Sequence, residues 1–239
     1  LVIRVLGGSK VKTGNNTVTV DSSAVSCYNI PDSLMREMRS SIIFMGAILG
    51  RAGECIVSVP GGCELGPRPI DMHIAALRKM GIEIHETCGG ILYRASSGRA
   101  RGAKLSLAFP SVGATENIIL CAVTADGETV INNAAREPEI CDLAKFLTAC
   151  GAKVHGAGTD IIIVEGVERL SATEHTVISD RIVAATYLAA VGCCKGELIL
   201  SGVQSAYLGQ IIPLMQSMGC RIYSFGRDRV YIRVKDRLK

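Results

Sequence analysis

The chain has 239 residues, 48% hydrophobic, 20% charged and 4% aromatic, with no tryptophan and a net charge of +4. It is long enough to bury a sizeable core in one large or two modest domains, and it reads as a globular protein packed with Ile, Leu, Val, Ala and Met. So mild a charge, with no basic run interleaved with aromatics, argues against a nucleic-acid partner, and no uninterrupted apolar stretch has transmembrane length.

The elements fall into a repeat. Residues 6–20, LGGSKVKTGNNTVTV, read as a pair of closing strands with Gly8 as a stop residue. Residues 40–61 read as an apolar helix, a glycine stop and a strand; residues 69–84 as a helix with Pro69 near its start, Gly81 at its C-cap and a strand behind it; residues 91–96 as a further strand. The same order of helix, strand, helix, strand, strand recurs over 115–166 and over 180–234. The helix-ending glycines Gly81, Gly151 and Gly219 are 70 and 68 residues apart. So long a period points to a repeated α/β unit rather than a thin solenoid. Three complete units and the end of a fourth are expected. Pro213 lies inside the last helix, which must kink or start late.

There are ten cysteines. None forms CxxC, and no His pair has ligand spacing, so neither a metal nor a cofactor is implied. Cys121, Cys150 and Cys194 fall in apolar helical runs, where the thiol serves as a small hydrophobe. That suits a reducing compartment.

One loop stands apart. Residues 60–71, PGGCELGPRPID, set Cys63 behind two glycines and Arg68 between two prolines. The junctions near 135–136 and 203–204 in the other repeats have no such insertion. A thiol beside a guanidinium and a helix start is stabilised as thiolate and can act as acid, base or nucleophile near neutral pH. The glycines permit closure over a ligand, and Arg68 is a natural clamp for phosphate or carboxylate. SVGATEN (111–117) opens a helix with small residues, and the N–H groups at such an end favour an anion, although a plain Ser cap explains it as readily. REPEI (136–140) places Pro138 and acids at a helix start, as the macrodipole prefers. Arg39, at the edge of an apolar helix, must pair or reach a ligand. The four histidines are scattered, and none is assigned a role.

PGGCELGPRPIDMH, SVGATEN, NNAAREPEI, GAGTD and SDRI together resemble the UDP-N-acetylglucosamine 1-carboxyvinyltransferases, along essentially the whole chain. The cysteine loop and AAREPEI are the specific signals. The resemblance implies two domains, each of three βαβαββ-type units forming an inside-out α/β barrel, with the active site in the cleft between them. It implies transfer of the enolpyruvyl group of phosphoenolpyruvate to the 3′-hydroxyl of UDP-N-acetylglucosamine, the first committed step of peptidoglycan synthesis in the bacterial cytoplasm, without a metal. Cys63 matches the family's acid, which also reacts with fosfomycin. Arg39 and Arg68 match substrate-binding arginines. Pro69, Ile70, Asp71 and Met72 match the stretch that contacts the UDP-sugar, and Phe109, Pro110, Ser111, Val112 and Gly113 the stretch whose backbone holds the diphosphate.

The same resemblance sets limits. Residues 1–176 correspond to most of the cysteine-loop domain and 177–239 to the first unit of the other. The family's early Lys-Asn pair and its later aspartate base and arginines have no counterpart, so the chain alone is expected to be nearly inactive. Val183 stands where an acid is expected, and Glu64 and Pro67 vary the loop. Two other readings remain: a non-catalytic module that binds a UDP-sugar, and a transferase with another acceptor, which the Cys63 loop disfavours.

Overall fold

The structure, a computed structural model, describes residues 1–14, 17–61 and 69–238, with the side chains of 9–14 and 17 left aside. The chain divides into two compact units, Leu1–His175 and Thr176–Lys239.

The first unit opens with a short helix α1 (Val2–Val5) and an antiparallel hairpin, β1 (Ser9–Gly14) and β2 (Thr17–Asp21). Then come α2 (Asp32–Glu37), a 3₁₀ turn (Arg39–Ile42), α3 (Ile43–Ala52), β3 (Glu54–Val57), α4 (Asp71–Lys79), β4 (Ile82–Thr87) and β5 (Gly90–Ala95). The next repeat is β6 (Lys104–Ser106), α5 (Val112–Ala122), β7 (Glu128–Asn132), α6 (Pro138–Ala149), β8 (Lys153–His155) and β9 (Ile161–Glu165). The second unit holds α7 (Arg181–Cys194), β10 (Gly196–Ser201), a 3₁₀ turn (Ser205–Leu208), α8 (Ile211–Ser217), β11 (Arg221–Phe225) and β12 (Arg229–Val234).

The topology repeats with the sequence. The three sheets run β3-β5-β4, β7-β9-β8 and β10-β12-β11, so in each the last strand lies between the other two and pairs antiparallel with both. Strand β6, not anticipated from the sequence, adds to the second sheet as a parallel neighbour of β7. Gly81, Gly151 and Gly219 all have left-handed backbones, φ 79°, 96° and 103°, as a helix stop requires. At the N-terminus that role falls to Gly7, φ 96°, and not to Gly8. The short helix α1 before it takes the place of the last turn of a repeat's second helix, which the sequence reading left out. Helix α8 starts late, with Pro213 in its first turn, where the missing N–H leaves no bond broken.

The repeats meet helix on helix. Helix α3 lies along α5 so closely that a Cβ on Gly46 would collide with the Asn117 carbonyl oxygen, and one on Gly50 would sit 2.5 Å from that of Leu120. Thr124 Oγ1 donates 2.5 Å to the Gly50 carbonyl, closing the seam. One continuous core fills the first unit, with Met35, Met45, Leu49, Leu77, Tyr93, Ile118 and Ile131 fully buried. A separate core in the second is built on Leu188, Met215, Val230 and Ile232.

The cysteines follow burial. Cys121 is buried and its thiol is pushed up to about 12; Cys55 is pushed up further for the same reason. Cys150 is buried as expected, but Cys194 is exposed at the end of α7. Its helix packs on one side only, so an apolar stretch there does not imply burial.

Candidate functional site

Helices α4 and α5 begin side by side, and the sequence-expected binding residues gather at those two ends. Ile70 precedes α4 and is buried, anchoring its start; Pro69 and Asp71 are exposed, and Met72 is half-buried. On α5, Ser111 is the N-cap, its Oγ accepting from the Ala114 N–H at 3.4 Å. Val112 and Gly113 form the first turn, where amide N–H groups have no partner within the helix. Phe109 and Pro110 are exposed ahead of it. A cleft of about 250 Å³ lies alongside, lined by Asp71, Met72, Ala75 and Lys79 from α4 and by Leu105 to Ala108. Asp71 and Met72 at the start of α4 line this cleft, and the neighbouring α5 start, with its unpartnered first amides, is suited to an anionic ligand.

A buried polar network locks this geometry. Asn117 Oδ1 accepts from the Gly46 N–H of α3 at 2.7 Å. Its amide nitrogen therefore donates, to the Gly113 carbonyl at 3.3 Å and to His73 Nδ1 at 3.0 Å. His73 Nδ1 must then be an acceptor, so a neutral ring carries its proton on Nε2. The ring is kept neutral: burial above all, and then the Arg39 charge, push its pKa down to about 4 against the pull of Asp71. A Cβ on Gly113 would lie 3.7 Å from His73 Nε2, so the ring's donor edge sits against the first turn of α5. Arg39, half-buried at the head of its 3₁₀ turn, supplies positive potential to the same place. One side chain, Asn117, thus ties three helices together.

Neither His73 nor Asn117 was singled out from the sequence. Each carried a signal: His73 shares a helical stripe with Ile70, Ala76 and Leu77, and Asn117 stands one turn into an apolar helix. A polar residue in such a position needs a partner. Cys63 and Arg68 lie outside the described residues. The chain on either side of them is anchored, since the Gly61 N–H donates 3.1 Å to the Met35 carbonyl and Ile70 is buried. The REPEI acids sit at the start of α6, Glu137 as N-cap residue without a side-chain cap bond and Glu139 in the first turn beside Pro138, as the helix dipole favours. Arg136 faces Asp160 of GAGTD at 3.6 Å in an exposed pair. Glu116, half-buried on α5, has its carboxyl raised by burial and by Glu139. The second unit has a larger hollow, about 690 Å³, between α7 and α8. Its wall is mostly apolar, with Ile182, Ala189, Leu214 and Met218, and it also carries Lys195, Asp236 and Arg237. No three His, Cys, Asp or Glu among the described residues are placed to hold a metal ion.

Comparisons with known proteins agree with this fold. The family model described as EPSP synthase (3-phosphoshikimate 1-carboxyvinyltransferase) matches residues 1–238. The chain is 47% identical over 232 residues to UDP-N-acetylglucosamine 1-carboxyvinyltransferase 2 of Caldanaerobacter subterraneus, covering 97% of this chain and 55% of the relative. It is 44% identical over 224 residues to the corresponding enzyme 1 of Symbiobacterium thermophilum, covering 92% and 51%. The chain thus spans about half the length of the curated relatives it matches. Among solved structures, the enolpyruvyl transferase NikO from Streptomyces tendae superposes with a TM-score of 0.81 at 21% identity, over all of this chain and 57% of that one. EPSP synthase from Acinetobacter baumannii superposes with a TM-score of 0.65 at 21% identity, over 98% and 55%. At that identity the likeness speaks for the fold alone.

Proposed function

Since the chain belongs to the EPSP synthase (3-phosphoshikimate 1-carboxyvinyltransferase) family, we propose that it carries the cysteine-loop half of an enzyme that transfers the enolpyruvyl group of phosphoenolpyruvate to the 3′-hydroxyl of UDP-N-acetylglucosamine in the bacterial cytoplasm. The acceptor is argued from the named relatives at 41–47% identity. The observation that carries the reading is the pair of neighbouring helix starts, α4 and α5, with a cleft along α4 beside them. A diphosphate would accept hydrogen bonds from the first amides of α5, with Arg39 adding charge, while Asp71 and Met72 contact the nucleotide-sugar.

In the proposed chemistry Cys63 gives its proton to the methylene carbon of phosphoenolpyruvate. The adjacent carbon becomes oxocarbenium-like, and the sugar hydroxyl adds to it and loses its proton to a base; phosphate then departs as the new methyl group returns a proton to the Cys63 thiolate, which restores the double bond. Arg68 would neutralise phosphate charge as this occurs. The repeat adds the Cys63 loop at one junction out of three, as a specialised loop on a common frame would be added.

Calorimetry with UDP-N-acetylglucosamine tests the binding half of this reading: saturable heat is expected, and none would refute it. Incubation with fosfomycin tests the chemical half. A single adduct mapped to Cys63 is expected; modification of another cysteine with Cys63 left free would overturn its assignment. A second reading is a module that binds the UDP-sugar without chemistry, since the starts of α4 and α5 would bind an anion whether or not a reaction follows. It predicts calorimetric binding without adduct and without phosphate release.

A further inference from the structure

The chain's positive charge is not spread evenly. Seven of the 26 Lys and Arg but only two of the 22 Asp and Glu lie in residues 221–239, so that segment carries +5 and residues 1–220 carry −1. Folding places three of these seven cations on one sheet face. On β12, Val230, Ile232 and Val234 point into the core, so Arg229, Tyr231 and Arg233 point outward. The register of the β10-β12-β11 sheet sets their neighbours. Arg233 stands between Arg221 and Glu197, Tyr231 between Tyr223 and Ile199, and Arg229 between Phe225 and Ser201. The result is an aromatic and aliphatic row flanked on both sides by arginines.

The rings are arranged as a platform. Tyr223 and Tyr231 have centroids 4.8 Å apart, and Phe225 follows Tyr223 at 6.4 Å with the Arg229 guanidinium 6.0 Å over its ring. Tyr223 is 57% exposed. Among the described residues of the face Glu197 is the one acid; it accepts from the Tyr231 hydroxyl at 2.9 Å, steadying that ring, and lies 3.7 Å from the exposed Arg233 guanidinium, a pair that a phosphate would compete for.

We propose that this face of the second unit binds single-stranded nucleic acid, with bases stacked on the Tyr223–Tyr231 platform and phosphates on Arg221, Arg229 and Arg233. Stacking on aromatic faces beside a cationic track is how sheets hold unpaired strands. An acidic peptide would use the arginines and leave the rings idle. An anionic membrane would draw on the arginines and not on the Tyr223–Tyr231 stack. Such binding departs from the expectation drawn from the overall charge, which averages the basic end with a nearly neutral remainder.

Fluorescence anisotropy of a labelled 15-nucleotide thymidine strand, titrated with the whole chain, tests this. Binding at 50 mM salt is expected, weakening with a log–log salt slope of about −2 for three phosphate contacts. Tyr223→Ala should weaken it about tenfold, Tyr223→Phe should restore it, and Arg221→Glu should weaken it and flatten the slope. Tyr223 and Arg221 are exposed, and thermal melts of each variant verify that the unit stays folded. Three results would each overturn the proposal: no binding at 50 mM salt, binding indifferent to Tyr223→Ala, or tighter association with polyglutamate or with phosphatidylglycerol vesicles than with the strand.

Discussion

Replacing His73 with glutamine removes a titrating group from the most protected part of the first unit, and acid stability should report it. His73 is 5% exposed and has a pKa of about 4 in the fold, against about 6.5 in an unfolded chain. As pH falls below 6.5 the unfolded chain takes up a proton that the folded ring refuses. The depressed value therefore adds stability above pH 6.5 that is lost progressively down to pH 4. At 1.36 kcal/mol per unit, a gap of about 2.5 units is worth about 3 kcal/mol. Urea denaturation at pH 7.5, 6.0, 5.0 and 4.5 measures it. The native protein should lose about 2.5 kcal/mol more across that range than His73→Gln, which retains a side-chain amide but cannot titrate. Carboxylates titrate alike in both and cancel in the difference. Parallel stability curves for the two proteins would show that His73 is not held neutral by its surroundings, and the account of the Asn117 network would fall with it.

Two further substitutions probe the frame around that network. Gly46→Ala should cost about 2–3 kcal/mol, because the new methyl meets the Asn117 backbone across a helix seam that cannot yield; Gly151→Ala, with open space around it, should cost only the roughly 1 kcal/mol of a left-handed backbone. Equal losses in denaturant melts would contradict the contrast. At the last residue of the first unit, His175 Nε2 lies 3.0 Å from Asp142 Oδ1 and its ring packs on Phe146, 5.5 Å between centroids. Asp142→Ala should loosen residues 171–175 by about 1 kcal/mol, seen as roughly fivefold faster amide exchange at Ser171, whose N–H otherwise donates to the Cys150 carbonyl. Unchanged exchange would mean that the backbone bond alone holds the segment.

Periodicity carried most of the fold. Three helices that end on glycines about seventy residues apart announced the repeat, and the strand orders bear it out because each repeat has one apolar sheet face to cover with its own helices. Local chemistry was also legible where it is local: Ser111 as a cap, Pro138 in a first turn, the late start of α8 around Pro213. It misled where burial decides, as at Cys194, which an apolar run alone placed inside.

By itself the sequence determined the repeat, the stretches that form the two helix starts, and the membership that its motifs announced, since each depends on residue order within a short span. Tertiary structure alone decided which distant residues meet. His73 and Asn117 are 44 positions apart, and only the α3–α5 seam, close enough to require glycine at 46 and 50, lets one amide reach three helices. Likewise only the register of β10, β11 and β12 turns alternate residues of a basic tail into a single surface. Pairing across a fold is set by packing geometry, which no local pattern of residues encodes.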